Sequence, residues 1–415
     1  MKGDQPIAAS VIEKPACAID TTLVARLRAL AISGLTRMYR PDERLFVFRV
    51  RRDGQRVVSE GLSRRYTAIA LIGLAQEADA TVAGVLGGHH VHDVCGRLIG
   101  DVPHVENLGD VALITWAARA VNYPDRRWAW ERLVELVSKS HRDAVVEVAW
   151  TLAALCIDAE APVDDLRQKV ARRLIASFQR KSAMFPHVIG GTGLRSHVSC
   201  FADLVYPIHA LARYFMLSGD REALAVAARC GAHVAAQQGS AGQWWWHYDG
   251  RTGKIIERYP VYAVHQDAMA PMALFALQEA SGTDFTPQIG RGLSWLANAP
   301  ELRGGSLVDD AAELIWRKVA RREPGKLSRA VQAATSRAHS ALRVPGLNAL
   351  FPPRAVDYED RPYHLGWLLY AWPAARYGHV ASLARSSHDV QAPAGIASFA
   401  PTSDGSDVQS RSSAG

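Results

Sequence analysis

The stretch of sequence from Gly242 to Met272 is the richest in side chains that could carry out chemistry. It contains three tryptophans, three tyrosines and two histidines, together with several carboxylates and arginines. Imidazole, carboxylate and phenol groups are the side chains that most often transfer protons in enzymes. We therefore predict a proton-transfer site here, with His265, Asp267 and Tyr262 as catalytic residues.

Two reaction types fit this set of groups. Glycoside hydrolysis requires two carboxylates that flank the scissile bond, and Asp267 with Asp310 or Glu313 is the candidate pair. Lyase or uronate epimerase chemistry requires a tyrosine or histidine base and a cation that neutralises the developing anion. The histidine and tyrosine named above, with Arg258, would supply those groups. The residues leave both types open.

Further polar and aromatic side chains are expected to bind the substrate, because aromatic faces stack on sugar rings and arginine binds carboxylates through its planar fork. The predicted substrate-binding residues are Arg258, Tyr259, Gln266, Trp245, Trp246, His247, Arg65, Tyr66, Asp203, Tyr363 and His364. Acidic residues in the first turn of a predicted helix have an alternative explanation. A carboxylate at that position stabilises the helix in any protein, whether or not it also binds a substrate. The residues to which it applies are Asp110, Glu147, Asp203, Asp267 and Asp310.

These side chains would be positioned by a repeated pair of helices, one with a polar face and one apolar on nearly all sides. A helix that is apolar all round is typical of a buried position. Apolar helices are predicted to begin near Ser63, Asn107, Ala144, Ser199, Val264, Ser306 and Arg361. The starts are roughly 40 to 60 residues apart, which is the length of two helices and their loops. The predicted fold class is all-α, an α/α toroid (barrel) of about six to seven helical hairpins, with an open superhelix as the alternative.

One segment carries a family resemblance. Gln238, Gly242 and Trp244 resemble the repeat of squalene cyclases and protein prenyltransferase β subunits, and the overall plan is also similar to six-hairpin glycosidases and toroidal polysaccharide lyases. The resemblance implies a toroid over residues 20 to 380. It does not extend to the acidic motif of terpene cyclases, because the nearest match, Val308-Asp309-Asp310, is one aspartate short.

The zinc ligands of the prenyltransferases are matched only in part. Tyr363-His364 resembles the part of the prenyltransferase pattern that supplies a zinc-binding histidine, but no Asp-x-Cys pair precedes it, and Cys200 with Asp203 has the wrong order and spacing. The sequence therefore predicts no metal and no cofactor.

Composition indicates the cellular location of the protein and the classes of partner that it lacks. The net charge is +7, and the five cysteines lie far apart without a C-x-x-C pair, which favours reduced thiols and a cytoplasmic location. No apolar run is long enough to span a bilayer, and no nucleic-acid-binding motif is present. We predict a flexible N-terminus over 1–20, a single toroid over 21–380 and a disordered tail over 386–415.

A basic helical insertion is predicted over 317–350 within the toroid. Its arginines and lysines suit peripheral contact with an anionic inner membrane surface, and an ordinary solvated helix is the alternative.

The leading hypothesis for function is a carbohydrate-active enzyme of the glycoside hydrolase, lyase or uronate epimerase type. Its partner would be an oligosaccharide or polysaccharide, bound at one rim of the toroid. The alternatives are an isoprenoid-handling enzyme of the cyclase or prenyltransferase type and a non-catalytic scaffold.

Overall fold

The computed structural model describes residues 18–139, 142–157, 163–193, 195–322, 334–335, 337 and 347–376. Helices dominate this part of the chain. They are α1 (Thr21–Met38), α2 (Arg64–Leu74), α3 (Asp79–Val85), α4 (Val91–Asp101), α5 (Leu108–Ala120), α6 (Arg127–Lys139), α7 (Val145–Leu155), α8 (Asp164–Ser177), α9 (Ala202–Ser218), α10 (Arg221–Ala236), α11 (Ala270–Ser281), α12 (Thr286–Asn298), α13 (Leu347–Leu350) and α14 (Pro362–Ala371). A π-helical turn, His265–Met269, leads directly into α11. None of the described helices is long and apolar enough to cross a membrane.

Six of the described helices form a closed inner ring. In ring order they are α2, α5, α7, α9, α11 and α14, and the last of them packs against both α11 and α2. Each is buried on nearly every face, as the sequence pattern predicts for a helix surrounded by protein. Because the ring closes on itself, the fold is an α/α toroid and not an open superhelix.

The inside of the ring is filled by aromatic side chains. Trp116 of α5 stacks on His209 of α9 and lies against Trp367 and Tyr370 of α14, with ring centroids 5.4 to 5.7 Å apart. The Tyr370 hydroxyl is hydrogen-bonded to His209 Nε2 at 3.1 Å. The interior of the ring is therefore packed with side chains at this level.

The outer helices are amphipathic and pack with one face on the ring. α10 lies against α9, α6 against α5 and α8 against α7. In α6, for example, Ala129, Leu133 and Val137 are buried, and this three-to-four-residue spacing gives the helix one apolar stripe.

Short strands lie at the end of the toroid where the inner helices begin. They are β1 (Tyr39–Arg40), β2 (Leu45–Asp53), β3 (Arg56–Leu62), β4 (Val198–Cys200), β5 (His247–Asp249), β6 (Ile255–Glu257), β7 (Val261–Tyr262), β8 (Val308–Asp309), β9 (Leu314–Ile315), β10 (Lys318–Ala320), β11 (Ala355–Asp357) and β12 (Glu359–Asp360). All the pairings are antiparallel. Strands β3, β4, β7 and β12 each run almost directly into an inner helix, so the small sheets surround one rim.

One sequence prediction about an element is wrong. The apolar helix expected from Ser306 is a hairpin of β8 and β9, whose turn includes Glu313 at a positive φ of 53°. Within the basic helical insertion predicted over 317–350, Lys318–Ala320 is strand β10, which pairs with β7 and β11, whereas residues 334–335, 337 and Leu347–Leu350 are helical. The rest of that predicted insertion lies mostly outside the described residues, as do residues 1–17 and the predicted tail over 386–415.

Candidate active site

The inner helices begin at the same end of the ring, and their first turns bring polar side chains together. Arg65 comes from α2, Asp110 from α5 and Glu147 from α7, while Asn107 is the N-cap of α5. We refer to these four residues as the rim cluster. None of the four is fully buried.

Hydrogen bonds join the rim cluster into one network. Asn107 Oδ1 accepts from the backbone N–H of Asp110 and from the Arg65 guanidinium, each at 2.9 Å, and Asn107 Nδ2 donates to Glu147 Oε1 at 2.8 Å. Arg65 Nε donates to Asp110 Oδ1 and forms an ion pair with it. Glu147 has no ion-pair partner among the described residues. One carboxylate of the cluster is therefore charge-paired and the other is not.

Close packing brings the two carboxylate-bearing helices together. A β-carbon at Gly109 of α5 would lie 2.8 Å from Glu147 Cγ and 3.1 Å from Trp150 Cε3, so only glycine fits without a shift. Trp150 is buried, and the Arg65 guanidinium lies 5.6 Å from its ring centroid. A pocket of about 480 Å³ opens beside the cluster and is lined by Arg65, Tyr66, Asn107 and Asp110 among others.

Aromatic rings continue around the rim on both sides of the ring closure. Tyr66 and Tyr363 lie 4.9 Å apart, and Arg361 donates to the Tyr66 hydroxyl at 2.9 Å. Farther along, Trp246 contacts Tyr262 at 5.4 Å between ring centroids. The rim thus offers broad apolar ring faces next to hydrogen-bonding groups, as a sugar-binding surface does.

One arginine faces this aromatic surface. Arg317 lies 5.3 Å from the Tyr262 ring centroid and forms an ion pair with Glu359 at 3.0 Å. Its Nε is buried and has no hydrogen-bond partner among the described residues. The guanidinium is thus partly exposed as a whole, while its Nε–H is enclosed by the protein.

Asp203, a predicted substrate-binding residue, lies at the start of α9 with its side chain buried. It accepts hydrogen bonds from His187 Nδ1 at 3.0 Å and from the backbone N–H of Cys200 at 2.7 Å. The hydrogen bond and the charge of Asp203 raise the pKa of His187. His187 itself is exposed at the rim.

The predicted catalytic residues His265 and Asp267 are buried below the rim. Asp267 is fully buried, and both of its carboxylate oxygens lie 2.9 Å from His364 Nε2. Burial lowers the pKa of His364, but the charges and hydrogen bonds of Asp267 and Asp360 outweigh it and raise this pKa to about 10. Burial lowers the pKa of His265 to about 3, and the ring packs between Phe201 and Tyr262. Asp267 and His364 form a buried ion pair.

The proposed pairing of Asp267 with Asp310 is also contradicted. Asp310 lies in the turn between β8 and β9, where it is mostly exposed and ion-paired with Arg26. Its helix start does not exist, so the two carboxylates are not a catalytic pair.

Other predicted binding residues divide into two groups. Trp246, His247 and Tyr262 come together, with Trp246 stacked on His247 at 3.9 Å. Trp245 and Tyr259 instead pack near Glu301, which accepts from the Tyr259 hydroxyl at 2.9 Å.

The last two predicted binding residues make different contacts. Arg258 stacks on Trp245. Gln266 is buried and bonds only backbone groups, at Trp244 N and Tyr262 O.

The sequence prediction missed three members of the rim cluster. Asn107, Asp110 and Glu147 occur at helix starts, where capping explains them equally well. The sequence did contain one signal of the rim cluster, because an acidic first-turn residue recurs in successive inner helices. Once the ring is closed, this recurrence places the carboxylates on one rim.

Comparison with known proteins supports the fold. No family model matches the chain, and no curated protein matches its sequence. Among solved structures, the unsaturated glucuronyl hydrolase of Streptococcus agalactiae matches with a TM-score of 0.55 at 10% identity, covering 90% of this chain and 98% of that one. The unsaturated glucuronyl hydrolase of Bacillus sp. GL1 matches with a TM-score of 0.54 at 13% identity, covering 84% and 94%. A possible member of the GH105 family from Salmonella enterica matches with a TM-score of 0.54 at 8% identity, covering 92% and 100%. The chain therefore has the α/α toroid fold of these glycosidases.

Proposed function

We propose that this protein is a carbohydrate-active enzyme, a glycoside hydrolase that binds an oligosaccharide at the rim of the toroid. The observation that carries the proposal is the rim cluster, in which Arg65 donates to the Asp110 carboxylate and to Asn107, and Asn107 donates to the Glu147 carboxylate on the adjacent inner helix. Two carboxylates that share one site are the machinery of most glycoside hydrolases, one as acid and the other as base or nucleophile.

We assign the roles of the two carboxylates from their partners. Asp110 is ion-paired with Arg65, and we propose it as the base or nucleophile. Glu147 accepts a hydrogen bond from the Asn107 amide and has no cationic partner among the described residues, and we propose it as the acid that protonates the leaving oxygen.

The substrate class follows from the rest of the rim. Tyr66, Tyr363 and Trp246 present ring faces for sugar stacking, and the Arg317 side chain, which is 21% exposed beside Tyr262, supplies a cation for a sugar carboxylate. The proposed substrate is therefore an oligosaccharide with an acidic residue at its end. The names of the Streptococcus and Bacillus structures, both unsaturated glucuronyl hydrolases, agree with this class.

The test is an assay for released reducing ends with unsaturated uronyl oligosaccharides, saturated uronyl oligosaccharides and neutral oligosaccharides. We expect turnover of an acidic class by the wild type. Removing either member of a catalytic carboxylate pair should reduce kcat about 100- to 10,000-fold, which is the usual contribution of acid–base catalysis. The variants are Asp110→Asn and Glu147→Gln.

The matched control is Asp310→Asn, which removes an exposed carboxylate that is also ion-paired with an arginine but lies in the β8–β9 turn. It should retain wild-type kcat. If no sugar class is turned over, or if both rim variants keep their activity, the hydrolase proposal fails and the non-catalytic scaffold becomes the better hypothesis.

A further inference from the structure

Three side chains from separate places in the chain meet beside the rim cluster. His187 lies in the loop after α8, Cys200 ends β4, and Asp203 is in the first turn of α9. The imidazole nitrogen, the thiol sulfur and the carboxylate oxygen all lie within 4.8 Å of one another. No other group of three or more such side chains within that distance occurs in the part of the chain that the structure describes.

These donors match one class of metal ion. Zinc binds cysteine sulfur, histidine nitrogen and carboxylate oxygen at about 2.0–2.3 Å, so ligand atoms around a tetrahedral zinc are roughly 3–4 Å apart. The observed spacing needs only small side-chain movements to reach that geometry. We propose that His187, Cys200 and Asp203 form a binding site for a Zn²⁺ ion, with three protein ligands and an open fourth position.

The backbone around the site is held in place before any ion binds. β4 pairs with β5, and Cys200 lies opposite His247 in that pairing. The Asp203 carboxylate accepts the backbone N–H of Cys200 at 2.7 Å, which fixes its orientation at the helix start. Second-shell hydrogen bonds of this kind orient metal ligands.

The three ligands differ in solvent exposure, and this difference places the open coordination position on the exposed side of the site. Asp203 is fully buried, Cys200 is partly buried, and the His187 side chain is 58% exposed. The ion would therefore have protein on the Asp203 side and solvent on the His187 side. Sites with three protein ligands and an open position are typical of zinc that binds water or a substrate oxygen.

Metal binding is independent of the proposed hydrolase activity, and its test does not use an activity assay. The purified full-length protein, stripped with chelator, is titrated with Co²⁺, followed by the thiolate-to-cobalt charge-transfer absorption and by metal analysis after dialysis. We expect one equivalent of Co²⁺ with a charge-transfer band, which Zn²⁺ then abolishes by displacement.

Variants identify the ligands. Cys200→Ser should abolish the charge-transfer band, and His187→Gln should weaken binding at least about tenfold, given that even outer-shell changes cost about 10- to 100-fold. Cys156→Ser is the matched control, since Cys156 is also a partly buried free thiol but belongs to no such cluster, and it should bind like the wild type. Circular dichroism spectra confirm that each variant is folded. Absence of the band in the wild type, or its survival in Cys200→Ser, would overturn the proposal.

Discussion

At the scale of single residues, Asn107 connects helix capping with the site. Its carbonyl oxygen caps α5 and also accepts from Arg65, while its amide nitrogen donates to Glu147. Two of these partners bind the oxygen and the third binds the nitrogen, so the two functions can be separated by mutation. A serine keeps a capping oxygen and loses the amide donor.

We therefore expect Asn107→Ser to reduce kcat about 10- to 100-fold with little change in stability. The loss of one hydrogen bond to a charged group is worth about 1.5–3 kcal/mol, whereas serine and asparagine are equivalent helix caps and serine adds no charge beside Glu147. The measurement is kcat on the acidic substrate beside the urea midpoint. Asn107→Ala is the comparison, since it should lower both. Equal losses of stability and activity in Asn107→Ser would show that the residue is a cap only.

In the sequence, the residue type alone could not distinguish a helix cap from a residue of the site. A carboxylate in the first turn of a helix, such as Glu147, satisfies backbone N–H groups in any protein. Glu147 joins the network of Asp110 only through its hydrogen bond with Asn107, which lies 40 positions away in the sequence. This hydrogen bond exists only after α5 and α7 pack together. Tyr66 and Tyr363 lie even farther apart in sequence, yet their rings are 4.9 Å apart.

At the scale of elements, α2 and α14 approach closely through two glycines. A β-carbon on Gly73 would lie 2.2 Å from the Gly366 carbonyl oxygen, and one on Gly366 would lie 2.6 Å from the Ile69 carbonyl oxygen. Backbone atoms cannot move aside as side chains do. Arg65 is on α2 and Tyr363 is on α14, so the close approach of the two helices also sets the distance between these side chains.

Gly73→Ala is therefore expected to destabilise the protein by about 1–3 kcal/mol, the usual cost of overpacking. Gly100→Ala in α4 is the matched control, because nothing lies within 4 Å of its added β-carbon and alanine favours a helix by up to about 1 kcal/mol. Urea unfolding of both variants measures the difference. A neutral Gly73→Ala would mean that α2 and α14 are not in close contact.

Helices that are apolar all round could be recognised from the sequence, because burial on every face is a local property of the pattern. The starts near Ser63, Asn107 and Ala144 are confirmed as N-terminal ends of α2, α5 and α7. The start near Ser306 failed because a short apolar run does not distinguish a strand from a helix. Here the turn of the β8–β9 hairpin ends at a residue with positive φ, Glu313, which no sequence pattern indicated.

At the scale of the whole molecule, the ring closes through a buried ionic group. His364 of the last inner helix lies between Asp267, which precedes α11, and Asp360, at the end of β12. All three side chains are almost fully buried, and the Asp267 backbone carbonyl also accepts from Trp372 Nε1 at 2.7 Å. Two carboxylates at this junction need the imidazolium to balance their charge.

His364→Gln should therefore lower the free energy of unfolding by about 3–5 kcal/mol near neutral pH, the cost of breaking a buried ion pair. The pKa of His364 is raised to about 10 in the folded protein, against about 6.5 in an unfolded chain. The folded state thus binds the extra proton across that range, so the stabilisation is complete below about pH 6.5 and is lost as the pH rises towards 10. Urea midpoints over this range should converge for wild type and variant, while His104→Gln, which changes an exposed histidine, should follow the wild type throughout. A gap between wild type and His364→Gln that stays constant with pH would mean that His364 is neutral in the folded ring, and the closure would then depend on packing alone.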